Sequence, residues 1–295
     1  MDKPSALKHN VFIMNRIPDE RRIRIVQALC EGNSIRSTAR IAGVAINTVI
    51  KLLTELGDAC LAYQDEHMRN LPCKRLQCDE IWSFVYAKAK NVPAEKRGQF
   101  GYGDVWTWTA IDAETKLVPC WHVGSRDAEA AMIFVDDVRS RLAHRIQLTT
   151  DGHRPYIEAV EAAFGADIDY ATLEKIYASP AKSEQIRYSP GTCIGTKLQV
   201  RQGQPDDAHI STSYVERANL TMRMSMRRFT RLTNAFSKKL ENHMHALALY
   251  FMHYNYCRPH KTLSKPYATT PAMAAGLTDH VWTMAEVVAL LERSN

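Results

Sequence analysis

The sequence predicts an α/β protein with a wholly helical N-terminal segment. Two observations carry this. Runs rich in β-branched and aromatic residues follow one another from Leu76, and they are interleaved with stretches whose apolar residues recur at helical spacing. From Asp19 to the start of these runs the spacing is helical. The composition is that of a folded protein, with 45% hydrophobic and 24% charged residues in 295. That length corresponds to about two domains.

In chain order, residues 1 to 18 are polar and are expected to be loosely ordered up to Pro18. From Asp19 to Cys30 the positions Ile23, Val26 and Leu29 mark a helix. Gly32 stops it, and Ser34 is placed to cap the next. Ile35 to Leu56 reads as helix, tight turn, helix. Ala39 is small where two helices approach, Gly43 suits a turn with positive φ, and Val49 and Leu52 face inward. This is the spacing of a DNA-binding helix-turn-helix, and it would turn Asn47, Thr48 and Lys51 toward a major groove. Residues 57 to 75 are expected to form a helical linker ending near Pro72.

Leu76 to Lys88 is read as a strand, and so are Val105 to Asp112 and Leu117 to Val123, the last two joined by a hairpin-length link. A helix from Asp127 to Leu142 aligns Ala131, Phe134, Val138 and Leu142. The strand Arg145 to Thr150 then runs into Asp151-Gly152-His153, and a helix follows around Tyr156 to Phe164. Three strands in hairpin order, then helix, strand, helix, suggest a mixed sheet of ribonuclease H type. Residues 165 to 210 give no clear element. Helices are expected again from Ser211 to about Phe229 and from Lys238 to Tyr254, the latter with Leu240, Met244, Leu247 and Phe251 buried. A last helix begins at the capping box of Thr283 and Glu286.

No apolar run approaches the ~20 residues of a membrane span. The start, MDKPSALKHN, lacks the apolar core of a secretory signal, so a cytoplasmic, nucleoid-associated protein with no membrane partner is expected. The seven cysteines form no CxxC pair and are read as reduced structural thiols. The net charge is +6, yet between His209 and Lys265 ten basic residues meet only two acidic ones. So local an excess points to a polyanion.

Three carboxylates stand out. Asp79 sits in an otherwise apolar strand, where an isolated charge is costly unless paired or bound to a cation. Asp151 ends a strand. Glu216 lies on a helix among basic residues. Brought together by the fold, three such acids supply the hard oxygen ligands that Mg²⁺ requires, with Mn²⁺ able to replace it. Two such ions activate a water or a 3′-hydroxyl and stabilise the leaving oxygen of a phosphodiester. Glu80 competes with Asp79, because neighbours on a strand face opposite sides. On a continuous helix Arg223 and Arg227, at i+7 and i+11, fall within about 20° of Glu216 and would clamp phosphates beside it. Arg217, Arg228, Arg258 and His260 complete the expected DNA contacts. His153 and His209 lie near two of the acids in sequence and are read as supporting residues, and Trp106 and Trp108 as core packing.

These segments resemble the DDE transposases of bacterial insertion sequences, most closely the insertion-sequence-one-type group. The resemblance is carried by LQCDEIWSFV around Asp79, TTDGH around Asp151, STSYVERANLTMRMSMRRFTR around Glu216, and YFMHYNYCRPHKTL from Tyr250 to Leu263. It spans nearly all of Leu76 to Pro271. It implies a ribonuclease H-like catalytic core with Asp79, Asp151 and Glu216 as the metal-binding triad. It also implies a helix-turn-helix that reads the terminal inverted repeats of double-stranded DNA, and a homo-oligomer assembled on that DNA. Asn255, Arg258 and His260 belong to the last motif and would support the core or touch DNA. The chain departs from that group in having no cysteine zinc motif ahead of the helix-turn-helix. The expected organisation is a helix-turn-helix domain over 1–65, the catalytic domain over 66–275 and a C-terminal helix over 276–295. The rival from another class is a helix-turn-helix regulator, or a transposase remnant that binds DNA without cutting it.

Overall fold

The computed structural model describes residues 17–178, 192–230 and 234–293. The expectation for residues 1 to 16, and Arg231 of the basic stretch, lie outside them. The chain forms a mixed α/β structure around a six-stranded mixed sheet. Its elements are α1 (Asp19–Cys30), α2 (Ile35–Ala42), α3 (Ile46–His67), β1 (Arg75–Val85), β2 (Gly103–Asp112), β3 (Trp121–Gly124) and α4 (Ala128–Arg141). There follow β4 (Ile146–Thr150), α5 (Pro155–Phe164), β5 (Ile168–Tyr177), β6 (Cys193–Gln202), α6 (Ser213–Ser225), α7 (Leu240–Met252), α8 (Pro271–Ala274) and α9 (Met284–Arg293).

Strand order is β3-β2-β1-β4-β5-β6. β1, β2 and β3 are antiparallel, β4 runs parallel to β1 and β5 parallel to β4, and β6 returns antiparallel to β5. The two-residue period sorts the side chains of β1 and β2 between two cores. Leu76, Cys78, Trp108 and Ala110 join Phe134 and Val138 of α4 and Tyr156 and Val160 of α5. Ile81, Val85, Val105 and Ile111 join Val215 and Met222 of α6 and Leu247 and Phe251 of α7.

The N-terminal helices follow the sequence closely at their caps. Ser34 Oγ accepts a 3.1 Å bond from Ser37 N, and Gly43 adopts φ +63° where α2 turns into α3. α3 then runs past the expected linker as one helix of 22 residues. Its middle residue of note is Gly57. A Cβ there would lie 2.4 Å from the Cβ of His245, so glycine is what lets α3 cross α7 at this distance. His245 Nε2 also sits 2.9 Å from Asp58 Oδ1 at the same crossing. Val49, Leu52, Leu53 and Leu56 are buried in the core that also takes in Val287 and Leu290 of α9. The expected domain edge at residue 65 therefore falls inside α3.

Four boundaries differ from expectation, each for a local reason. The Leu117 strand shrinks to Trp121–Gly124 because Asn255 takes both backbone groups of Val118, donating from Nδ2 to its carbonyl (2.9 Å) and accepting its N–H at Oδ1 (3.0 Å). β1 stops at Val85, since Tyr86 turns to φ +68°. The unplaced stretch contributes β5 and β6, separated by residues 179–191 outside the described set. Finally, α6 ends at Ser225 and a 3₁₀ turn, Arg227–Phe229, follows. In α1 the fully buried residues are Ile25 and Val26, with Ile23 only half-buried. The capping box of α9 forms, with Thr283 N donating to Glu286 Oε2 (2.8 Å) and Glu286 N to Thr283 Oγ1 (3.3 Å).

Candidate active site

β1 extends beyond its neighbour β4. The parallel pairing runs from Arg75–Gln147 to Cys78–Thr150 and ends there. Asp79 and Glu80 thus have no strand beside them on that edge, and Asp151 enters the gap as the chain leaves β4. Such gaps at the carboxyl ends of parallel strands are where α/β sheets place ligands. Asp79 and Glu80 belong to opposite faces of the sheet, as alternation demands. The open edge nevertheless lets both reach Asp151. Ligand oxygens of Asp79, Glu80 and Asp151 all lie within 4.8 Å of one another. Both acids between which the sequence left a choice, Asp79 and Glu80, thus lie beside Asp151.

Crowding and burial oppose ionisation. Burial, then the Asp151 charge, raises Asp79 to about 6. The same two causes raise Glu80 to about 7. Glu80 is the more enclosed, with a side chain of zero exposure. Its Oε2 accepts a 3.0 Å bond from Arg126 Nε, whereas Oε1 and the facing Tyr156 hydroxyl are both buried without a completed hydrogen bond. Arg126 Nη2 also lies 3.7 Å from Asp151 Oδ2, and its guanidinium stacks 4.9 Å from the Trp106 ring centroid. Asp151 Oδ1 accepts the backbone N–H of His153 (2.9 Å).

The helix carrying Glu216 is pinned to the acid strand by two contacts. Gln77 Oε1 on β1 accepts the N–H groups of Tyr214 (2.8 Å) and Val215 (3.2 Å), free donors at a helix start. Two residues along, Asp79 Oδ2 accepts Asn219 Nδ2 at 2.8 Å. Between these anchors Glu216 is close enough to raise the pKa of Asp79, though it lies outside the 4.8 Å cluster. Its carboxylate is held by Lys175 Nζ of β5 (2.6 and 2.5 Å) and by Thr212 Oγ1 (2.7 Å).

The other expected residues are distributed as follows. Asn47 and Lys51 are exposed at the front of α3, and Thr48 is half-buried beside them. Lys51 Nζ pairs with Glu55 at 3.6 Å. Arg217 is exposed on α6, and Arg223 stays on the helix with Glu216. Arg227 lies beyond the end of the helix, in the 3₁₀ turn that follows it, so the helical projection from Glu216 does not extend to it. Arg228 is likewise turned inward, donating to Ser237 Oγ and the Asn242 carbonyl at 3.0 Å each, and burial lowers it to about 10. Arg258 is exposed, near Ser225. His260 organises its own loop through Thr262 and Thr269, and Asn255 supports the core. His209 pairs with Asp206 at 2.6 Å rather than with the acids.

Sequence reasoning missed Arg126, Lys175, Asn219 and Gln77. Asn219 had a signal, standing one helical turn from Glu216. Gln77 sits two residues before Asp79 on the same strand face. Lys175 lay in the stretch without a readable element. All seven cysteines are free thiols, six of them at least partly buried. Among the described residues no helix is long and apolar enough to cross a membrane.

No family model matches the chain, and no curated protein does. Among solved structures the chain is similar to the piggyBac transposase in a synaptic complex with hairpin DNA, at 10% identity and TM-score 0.41. That match covers 95% of this chain and 71% of the other. It is also similar to the Mos1 strand transfer complex, at 12% identity and TM-score 0.21, over 55% of this chain and 58% of the other. Likeness at this level carries no argument, and the functional reading rests on the site geometry above.

Proposed function

We propose that this chain is a metal-dependent DNA transposase of the DDE type, which binds the terminal inverted repeats of its own element, cuts there and joins strands. The observation that carries the reading is the meeting of Asp79, Glu80 and Asp151 in the gap beyond β4, next to the helix of Glu216. The order β3-β2-β1-β4-β5, three antiparallel strands followed by two parallel ones, is that of a ribonuclease H-like core and supports the same reading.

The donor set suits Mg²⁺ or Mn²⁺. It is all carboxylate oxygen, one of those oxygens is buried without a completed hydrogen bond, and burial, then the Asp151 charge, holds two of the acids above their usual range. Asp79 and Asp151 would be the shared ligands, with Glu80 and Glu216 on either side as further ones. The chemistry a bound divalent pair supplies is activation of water or a 3′-hydroxyl and stabilisation of the leaving oxygen. The chain's own part is positional. Gln77 and Asn219 fix α6 against β1, while Arg217 and Arg223 offer cations to the backbone phosphates. Asn47, Thr48 and Lys51 at the front of α3 would read the element's ends as the second helix of a helix-turn-helix, in a homo-oligomer on DNA.

A cleavage assay on an end-bearing oligonucleotide tests this. The parent protein should cut in Mg²⁺ or Mn²⁺. Asp151→Asn, nearly isosteric but uncharged, should bind the same ends and lose a thousandfold or more in rate, about 4 kcal/mol of barrier. Equal cutting by both removes the acid cluster from the mechanism. A parent that binds the ends and never cuts returns the chain to the regulator reading.

A further inference from the structure

Arg126 occupies a position that the proposed function leaves unexplained. It stands at the start of α4, one residue before the N-cap Asp127, whose side chain accepts Ala130 N at 3.0 Å and so fixes the backbone there. From that point the guanidinium crosses the face of Trp106 and enters the acid cluster. It bonds Glu80 Oε2 at 3.0 Å and approaches Asp151 Oδ2 at 3.7 Å. One cation thus spans two of the three acids. Arg126 remains 38% exposed, so its side chain has solvent to move into.

We propose that Arg126 is a built-in counter-cation of the cluster, which a divalent ion must displace, making it a positioning residue that sets the affinity of the cation site. The inference rests on reading the acids as that site. Two consequences follow from electrostatics alone. With no divalent ion, the guanidinium offsets part of the repulsion among Asp79, Glu80 and Asp151. With a divalent ion, it becomes a like charge beside the newcomer and loses its hydrogen bond to Glu80. A monovalent side chain tethered on a flexible stem yields to a dication that binds several oxygens together, yet its prior occupancy weakens the dication's apparent affinity. Stacking on Trp106 gives the displaced guanidinium a place to remain, since an aromatic face attracts Arg without any carboxylate.

The test is calorimetric titration of Mn²⁺ into the full chain without DNA, paired with thermal melts in chelator and in Mn²⁺. Arg126→Gln should bind Mn²⁺ about tenfold more tightly than the parent. It should also melt lower in chelator and gain more from Mn²⁺. Arg126→Lys keeps the charge and should stay near the parent affinity. If Arg126 instead props Glu80 in place for the ion, Arg126→Gln will bind Mn²⁺ equally or more weakly, and the inference fails while the cation site stands. If neither the parent nor Arg126→Gln binds Mn²⁺, the cation site fails and this inference with it.

Discussion

Asn219 Nδ2 donates to Asp79 Oδ2 at 2.8 Å, so the helix that carries Glu216 is tied directly to an acid of the cluster. The bond favours the ionised carboxylate and works against the burial that raises Asp79 to about 6. Asn219→Ala removes it. Asp79 should then hold its proton to higher pH, and the acid limb of the cleavage pH profile should move upward. Stability should fall by roughly 1.5–3 kcal/mol, the range for a hydrogen bond to a charged group. An unmoved pH profile would detach Asn219 from the chemistry.

The raised carboxylates set the pH dependence of cation binding. Asp79 at about 6 and Glu80 at about 7 both stand above their unfolded values, near 4. Their contribution to stability is therefore complete below about pH 4. It is lost as pH rises through 6 and 7, where the metal-free cluster becomes charged. A divalent cation binds that charged form. Mn²⁺ at a hundredfold excess over its Kd should stabilise by about 2.7 kcal/mol at pH 8 and far less at pH 5. Melting temperatures with and without Mn²⁺ at both pH values measure this, and equal shifts would contradict it.

His243 works in the opposite direction. It is buried between Ser237 Oγ (3.0 Å) and Ser83 Oγ (3.4 Å), and burial with the Arg228 charge lowers it to about 3. The unfolded chain binds this proton near pH 6.5 and the folded chain does not. Stability should drop as pH falls from about 6.5 toward 3, at about 1.4 kcal/mol per unit for one proton. Replacing it by glutamine in His243→Gln should flatten that slope in denaturant titrations run across the acid range.

Gly57→Ala should destabilise, although alanine favours a helix by about 1 kcal/mol over glycine. The new Cβ would stand 2.4 Å from His245 Cβ, and neither helix backbone can yield without repacking the crossing. Overpacking of this kind costs typically 1–3 kcal/mol. A melting temperature equal to or above the parent's would show that α3 and α7 can separate.

How much of this was legible beforehand depended on how local the signal was. The caps at Ser34 and Thr283, the left-handed turn at Gly43 and the strand around Asp79 are written in a few adjacent residues, and all were readable. The end of α6 at Ser225 was not: nothing in MSMRRF breaks a helix by composition, and the turn depends on tertiary packing of Met226 and Phe229. The role of Gly57 was not legible, because its reason, His245 on α7, lies far away in sequence. Within the site, Asp79 was visible as a charge in an apolar strand, Asp151 by its place at a strand end, and Glu216 as an acid among basic residues. Their partners Arg126 and Lys175 were not, since a basic residue on a polar stretch carries no such contrast. A fragment ending at residue 65 would likewise strip Leu53 and Leu56 of their partners, so the proposed DNA reading is tested in the full chain.

The unbroken α3 has a mechanical consequence. At 1.5 Å per residue its 22 residues span about 33 Å. Its front end bears Asn47 and Lys51, and its rear half is clamped by α7 and α9. A stiff rod in place of a tether works as a ruler. If its tip lies in a groove, the spacing between the bases read and the phosphate cut is fixed by the protein and cannot stretch to suit the DNA. Each base pair added between those two points would turn the target phosphate by roughly a tenth of a helical turn about the duplex axis. Cleavage should therefore fall within one or two added base pairs and stay lost when a full turn, about 34 Å of duplex, has been added.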